Sequence, residues 1–512
     1  MSYLGRTVKS LAGISLPRSE LLEEVGSAHA TFGLKKLALC TTKPGKLYAI
    51  DMTDGSVEWS LLLPAADETE KILLYSTRPK GALGYNPEVA VILAGETSTM
   101  ISWRDAITGV QTRREELGHK VVSAVPLDVK DDEDRALLML IDSDGGVHAA
   151  PSTAQGTAAL SDLLPKLFHH KFSQESGLES FAVIKKHGES GDALVSTQVA
   201  AVPLPEKARL VAKAYPDRRD AVQTPAHTLG DDSLLIKYIN PRLLALATLS
   251  DLDEGSASGK GQDLTASVTV LDNVSGRILH RISHKGAAEP VHMVVSESWV
   301  VYTYWSATSQ RTEMSTLSMY DGMIDRYGLS PFNRPEWKEA FSSFESKVPI
   351  VLQKTFIFPH PITALGVTVT QRGITAKDIL VATALGQVVL LDRRYLDPRR
   401  PVDEPTKIEK EEKLVQYQPY LPVVPTQVLS YYKVVERVDR VLTEPTGLES
   451  TSLVLALGLD LFGSRVAPSK TYDMLDPNFN YTLLVLVLVA MSAAVVVSST
   501  VAGSKRLKDQ WT

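Results

Sequence analysis

Gly45-Lys46-Leu47-Tyr48-Ala49-Ile50-Asp51, followed by Asp54-Gly55 and then Trp59, is a strand that ends on an acid, a glycine turn, and a second strand carrying a tryptophan. Glycine supplies the positive φ that a tight hairpin turn requires, and the preceding aspartate can accept backbone N–H groups within that turn. The phrase returns as Ile101-Ser102-Trp103-Arg104-Asp105 with Thr108-Gly109, and as Val268-Thr269-Val270-Leu271-Asp272 with Ser275-Gly276. Shortened forms occur at Asp144-Gly145-Gly146-Val147 and at Gly386-Gln387-Val388-Val389-Leu390-Leu391-Asp392.

Between these phrases lie further short runs of Val, Ile, Leu and aromatics bounded by turn residues: Leu37–Leu39, Val89–Leu93, Leu137–Ile141, Trp299–Tyr304 and Ile379–Thr383. Such runs read as strands. Hairpins recurring at roughly 40–60 residues point to an all-β, β-propeller-like body, in which each small sheet needs neighbours to bury its faces. Separate antiparallel sandwich domains stay open as the alternative.

The composition is that of a chain with a sizeable core: of 512 residues 44% are apolar and 22% charged. The net charge of −6 provides no basic field for nucleic acid. Cys40 is the only cysteine, which excludes an internal disulfide framework and a Cys-rich zinc site.

One segment departs from this balance. From Tyr481 to Gly503 the chain carries no charge, a run of about 23 residues. At about 1.5 Å per residue it would reach roughly 34 Å, enough to cross a hydrocarbon core of about 30 Å. A buried core helix is the competing reading. Lys505, Arg506 and Lys508 follow the run while Asp473 and Asp476 precede it, so the C-terminus is expected in the cytosol and the body across the membrane. That orientation needs an N-terminal signal, yet Met1–Lys35 holds no long apolar run. Read literally, the chain would be tail-anchored with a cytosolic body; the expectation here is that it lacks its true N-terminus. The expected division is an N-terminal segment 1–35, a body 36–470, a juxtamembrane segment 471–480, the span 481–503 and a tail 504–512.

Three stretches interrupt the strands. Asp251–Leu264 reads as a polar loop and Asp397–Leu414, Pro-rich and then charged, as a surface strap. Asn333-Arg334-Pro335 with Trp337, Phe341 and Phe344 reads as a short helix whose aromatic face docks on the body.

A search for chemistry yields no catalytic, cofactor-binding or metal-ligating set. Asp131-Asp132-Glu133-Asp134 reads as a solvated turn, and His169-His170 has no acid at ligand spacing. There is no phosphate loop, nucleophile elbow or Cys–His pair. The Gly45–Asp51 phrase is similar to the repeats of quinoprotein dehydrogenase propellers, but a single cysteine forbids the adjacent pair those enzymes often carry, and a repeat reports the blade rather than the chemistry.

The second half contains more specific phrases. Val294-Val295-Ser296-Glu297-Ser298-Trp299-Val300-Val301-Tyr302-Thr303-Tyr304-Trp305 resembles a block of subunit 1 of the ER membrane protein complex. Ile239–Leu244, Phe358-Pro359, Arg372-Gly373-Ile374-Thr375, Leu396–Pro401, Thr446–Thr451, Gly458–Asp460 and Arg465–Lys470 are similar to further blocks of that family, in its order. The resemblance covers most of the chain and is strongest from about Leu234 onward.

The resemblance implies a large luminal β-propeller with one C-terminal membrane helix. It further implies a non-catalytic scaffold within an insertase that places tail-anchored and multipass segments into the ER bilayer. The implied partners are the other subunits of that complex, the ER lipid bilayer and client membrane proteins, with no cofactor. Residues flanking the span, Lys470, Asp473, Asp476, Asn480, Lys505 and Arg506, are the candidates for partner or headgroup contacts, although some would merely solvate the interface. Met1–Gly13, with Arg6 and Lys9 beside Leu4, Val8 and Leu11, is similar in place to the family's membrane-surface helix. Asn273-Val274-Ser275 is an N-glycosylation pattern in an expected exposed turn. Trp299 and Trp305 are expected to be buried. The competing class is a membrane-tethered luminal propeller that binds or processes a soluble ligand.

Overall fold

The computed structural model describes residues 32–42, 44–64, 69–79, 84–174, 176–188, 191–205, 207–217, 220–251, 264–324, 341–345, 347–473 and 480–511. Gly33–Ser469 forms one unit, and the described residues from Lys470 onward belong to another.

Within Gly33–Ser469 the described strands form eight antiparallel sheets in chain order. The first comprises Leu37–Thr41, Lys46–Asp51 and Val57–Leu62; the second Thr69–Arg78, Glu88–Gly95, Thr99–Asp105 and Gln111–Leu117; the third Val121–Lys130, Ala136–Asp142 and Val147–Ala150. The fourth holds Phe168–Ser173, Gly177–Gly188 and Gly191–Val202, and the fifth Ala208–Ala214, Leu243–Asp251, Leu264–Asp272 and Ile278–Lys285. The sixth is built on Ala287–Ser296, Trp299–Ser306, Arg311–Ile324 and Ile350–Phe358; the seventh is Ile362–Val367, Ile379–Thr383 and Val388–Leu391; the eighth is Arg440–Pro445, Ser452–Leu457 and Leu461–Val466.

Each sheet packs on the next, and the last returns to the first. Trp59 Nε1 donates to Ala106 O at 3.0 Å between sheets one and two, and Tyr75 Oη to Ala124 O at 2.7 Å between two and three. A bridge at Gly146 and Val195 joins three to four, and Leu178 packs on Leu244, Leu246 and Leu271 between four and five. Apolar clusters continue across sheets five to eight. Lys36, leading into the first sheet, pairs with Glu444 of the eighth at 3.6 Å. The body is therefore a closed propeller, and the sandwich alternative falls.

Packing on two neighbours explains which strands were legible. Glu88–Gly95 is buried along almost its whole length and Ile379–Thr383 along all of it, because both faces meet adjacent sheets. Such strands are continuous apolar runs. Gln111–Leu117 and Ile278–Lys285, at sheet edges, alternate instead.

The hairpin phrase has the turn chemistry its residues dictate. Asp51, Asp105 and Asp272 each accept N–H groups from within the turn, at 2.8 Å from Thr53, 2.8 Å from Ile107 and 2.9 Å from Val274. Gly55, Gly109 and Gly276 close the turns at φ of 79°, 74° and 68°. In the shortened phrase the turn is held by Asp142, which accepts Asp144 N–H at 2.9 Å and Gly146 N–H at 2.7 Å.

Two insertions depart from the repeat. An arm, residues 215–242, leaves the fifth sheet after its first strand; its strands Ala226–Thr228 and Leu234–Lys237 add to the sixth sheet, with Leu234 opposite Ile324. The second, residues 392–439, links the seventh and eighth sheets and touches the sixth and seventh through bridges at Tyr420 and Val428. The expected surface strap 397–414 lies inside it, but its start is internal: Leu396 is fully buried and Arg400 4% exposed. Pro335 and Trp337 of the expected aromatic helix lie outside the described residues. Phe341 docks edge-on against Tyr238 at 6.3 Å, whereas Phe344, 61% exposed in a turn, shares no docked face with it.

In the other unit, Met1–Gly13 lies outside the described residues. A single helix, Tyr481–Trp511, continues through the basic flank where the sequence had suggested a separate tail. Thr482–Lys505 within it is long and apolar enough to cross a bilayer, with mean hydropathy 2.5. Asn480 caps its start, accepting Leu483 N–H at 3.0 Å through Oδ1.

Candidate functional site

Two of the phrases that carried the family resemblance, Val294–Trp305 and Leu396–Pro401, contribute charged residues where the arm and the long insertion meet the sixth and seventh sheets. Asp220 and Lys237 come from the arm, Glu297 from the turn after Ala287–Ser296, and Lys377 from the connection preceding Ile379–Thr383. Lys377 bonds Asp220 and lies 3.0 Å from Glu297, while Lys237 lies 2.6 Å from Glu297. All four side chains are at most 12% exposed. Burial alone would raise the Glu297 carboxyl, but the Lys237 and Lys377 ammonium groups outweigh it and hold the group below its ordinary value. Ser296 Oγ adds a bond to Asp220 at 2.5 Å.

A second group continues the same junction. Asp397 pairs with Arg399 at 2.9 Å, Arg399 with Glu412 at 2.8 Å, and Glu412 accepts the N–H of Gly230 in the arm at 3.2 Å. Arg393 lies over the Trp299 ring at 4.9 Å and donates to Ser318 Oγ at 3.1 Å. Arg400 stacks on Phe356 and donates to the carbonyls of Tyr395, Val415 and Gln416. Asp378 accepts Arg393 N–H at 3.1 Å, and burial pushes its carboxyl up to about 7. Glu449 ties two further phrases together, accepting the N–H groups of Arg372 at 2.9 Å and Ile374 at 2.8 Å and the Thr370 hydroxyl at 2.7 Å. Asp220, Lys237, Glu297 and Lys377 engage one another, as do Asp397, Arg399 and Glu412. They lock two insertions onto the ring.

Other charged residues were read differently from sequence. Asp131–Asp134 is no merely solvated turn: Asp131 and Glu133 grip Arg135 at 3.1 and 2.5 Å, and Arg135 pairs with the buried Glu88 at 2.5 Å. His169, for which the sequence offered no acid at ligand spacing, bonds Ser196 Oγ at 2.7 Å and stacks on Phe181; burial lowers it to about 4.

One grouping was missed altogether. His119, from the link between sheets two and three, meets Asp142 and His148 of the third sheet, with one ligand atom of each within 4.8 Å of the others. Asp142 and His148 sit on the two strands of one hairpin, but His119 comes from a linker more than twenty residues earlier, which no local spacing announces.

The membrane-junction candidates fall only partly within the described residues. Lys470 and Asp473 are exposed, Asn480 is the helix cap, and Lys505 is exposed on the helix. Asp476 and the side chain of Arg506 lie outside the described residues. Asn273 is not in an exposed turn: it is half-buried, its main-chain N–H donates to Arg242 O at 2.9 Å, and its carbonyl accepts from Ser180 Oγ.

Comparison with known proteins matches residues 33–469 to the family described as "ER membrane protein complex subunit 1, second beta-propeller". The chain is 31% identical over 504 residues to ER membrane protein complex subunit 1 of Gallus gallus, covering 97% of this chain and 49% of the relative. Against the protein of the same name in Schizosaccharomyces pombe it is 30% identical over 343 residues, covering 66% and 36%. The chain thus spans about half the length of the first relative. Among solved structures, the WD40 domain of SCAP from fission yeast aligns over 86% of this chain and 97% of its own at 8% identity and a TM-score of 0.29, too low to carry an argument.

Proposed function

The chain belongs to the family of ER membrane protein complex subunit 1, and from that premise we propose that it is a non-catalytic scaffold subunit of that complex in the ER membrane. In this role it supports the insertion of tail-anchored and multipass proteins. Unsatisfied backbone polar groups cost several kcal/mol each in hydrocarbon, so insertion needs a sheltered path. Holding other subunits in register around such a path requires a rigid body with docking surfaces, not an acid or a base.

The observation that carries this reading is the use made of the family-specific residues. Glu297, Trp299, Asp397, Arg399 and Glu449 engage other parts of the chain and stiffen the junction. Beyond that junction, the long insertion leaves Tyr431, Tyr432 and Val434 exposed by 76%, 84% and 60%. Exposed aromatics of this kind suit a partner subunit. The body 36–470 lies in the lumen, the segment 471–480 adjoins the bilayer, 481–503 spans it, and 504–512 is cytosolic, in keeping with the basic flank. Partners are the other subunits, ER lipid and client membrane proteins. Glycosylation of Asn273 would have to precede closure of its turn.

The test is affinity capture of the full chain through a C-terminal tag in mild detergent, with co-purifying proteins identified. Membrane-embedded subunits of the complex should be recovered. Tyr431→Ser with Tyr432→Ser, and separately Lys470→Ala and Asn480→Leu, should weaken recovery without lowering Tm by more than a degree or two. Recovery of the chain alone, or unimpaired client insertion in its absence, would refute the proposal.

A further inference from the structure

We propose that His119, Asp142 and His148 bind a divalent transition-metal ion of the zinc class at the junction of the second and third sheets. Two imidazoles and one carboxylate form a three-ligand set that zinc accepts, with a fourth position left to water.

Three features support a binding site over a chance hydrogen bond. His119 Nε2 is sealed from solvent and has no hydrogen-bond partner, and a buried polar atom left in that state is costly unless something engages it. Asp142 is pre-oriented: its Oδ1 accepts Asp144 N–H at 2.9 Å and Gly146 N–H at 2.7 Å, which directs Oδ2 to His148 Nε2 at 2.9 Å. Carboxylate ligands held by such outer bonds are the rule in metal centres. The space for that carboxylate depends on Gly146, where an added Cβ would fall 2.4 Å from Asp142 Oδ2.

The ligand atoms lie within 4.8 Å of one another, whereas four-coordinate zinc with bonds of about 2.0–2.1 Å places its ligand atoms about 3.3 Å apart. The site therefore has to close by up to about 1.5 Å on binding. The imidazoles stack at 4.1 Å with 24° between their planes, so one ring must turn to aim its nitrogen at a shared ion. The side chain of His148 is 37% exposed and has the room to do so. To offer Nε2 to the ion, His148 takes the tautomer with its proton on Nδ1, and the Nε2–Asp142 hydrogen bond gives way to two bonds to the metal. A bound ion would pin the link at His119 to the third sheet's turn and strand.

The experiment uses the full chain in detergent, stripped with chelator and titrated with Co(II) and then Zn(II). Wild type should take up one more equivalent than a His119→Ala/His148→Ala double variant, with visible absorption from cobalt displaced by zinc. Zinc should raise the Tm of wild type and not of the double variant. His148→Gln alone should weaken binding at least tenfold. Because that side chain is partly exposed, this variant remains decisive if substitution at His119 prevents folding. Equal metal uptake by wild type and variant, or a zinc-dependent rise in Tm that survives His148→Gln, overturns the proposal.

Discussion

Lys377 and Glu297 meet at 3.0 Å with 4% and 12% of their side chains exposed, and Lys377 simultaneously bonds Asp220, which lies 157 residues earlier in the chain. Removing one partner of a buried pair leaves an uncompensated charge and costs about 3–5 kcal/mol, whereas replacing both by well-packed apolar residues is often neutral. Lys377→Met should therefore lower Tm sharply. Lys377→Met combined with Asp220→Leu should recover much of the loss, because Glu297 keeps Lys237 as its partner at 2.6 Å. Thermal unfolding of the three proteins checks this, and an unaffected single variant would count against the lock.

Asp378 carries a pH dependence of defined sign. Burial raises its carboxyl from 3.8 to about 7, so between those values the folded state holds a proton that the unfolded state has released. Stability from this group therefore falls as pH rises from about 4 to 7, by on the order of 4 kcal/mol in total. Asp378→Asn should be stabilising at pH 7.5 and nearly neutral at pH 4. His227 acts oppositely: burial, then Lys237 and Arg399, lower it to about 4, so its contribution is complete above about 6.5 and is lost as pH falls toward 4. Denaturant midpoints across this pH range, for wild type and each variant, separate the two.

Gly55 and Gly109 occupy equivalent turns at φ of 79° and 74°, but their surroundings differ. A Cβ at Gly55 meets nothing within 4 Å, while one at Gly109 falls 2.9 Å from the Trp59 ring of the neighbouring sheet. Gly55→Ala should cost about 1 kcal/mol from backbone strain. Gly109→Ala should cost about 1–3 kcal/mol more, because the ring must move. Equal losses in urea unfolding would mean that Trp59 yields freely.

The two tryptophans of the Val294–Trp305 block differ as well. Trp299 is 6% exposed beneath the Arg393 guanidinium, whereas Trp305 is only half-buried, contrary to the sequence expectation. Trp299→Ala should destabilise the body by about 3–5 kcal/mol, and Trp305→Ala by clearly less. Comparable losses in the two melts would show that burial is not what separates them.

Lys505, Arg506 and Lys508 beyond the span predict a cytosolic C-terminus. With the full-length protein in sealed microsomes, added protease should remove a tag placed after Thr512 and spare the body. Survival of the tag with digestion of the body would reverse the orientation.

The apolar runs, the Asp–Gly turns and the membrane-length helix were legible in the sequence because each depends on residues within a few positions of one another. Asp105 holds its turn through Ile107 and Thr108, and Glu88–Gly95 reads as a strand because both its faces are covered. The same local view made Asp131 a solvated acid and kept His119 apart from Asp142 and His148. Whether a charge is buried, and by what it is neutralised, depends on chain that returns to it after tens or hundreds of residues. Closure of the eight sheets brought Lys36 to Glu444, and the packing of the arm on the sixth and seventh sheets brought Asp220 to Lys377. At Asp220 and Lys377, each 4% exposed, desolvation, which no local pattern records, determines what the side chains do.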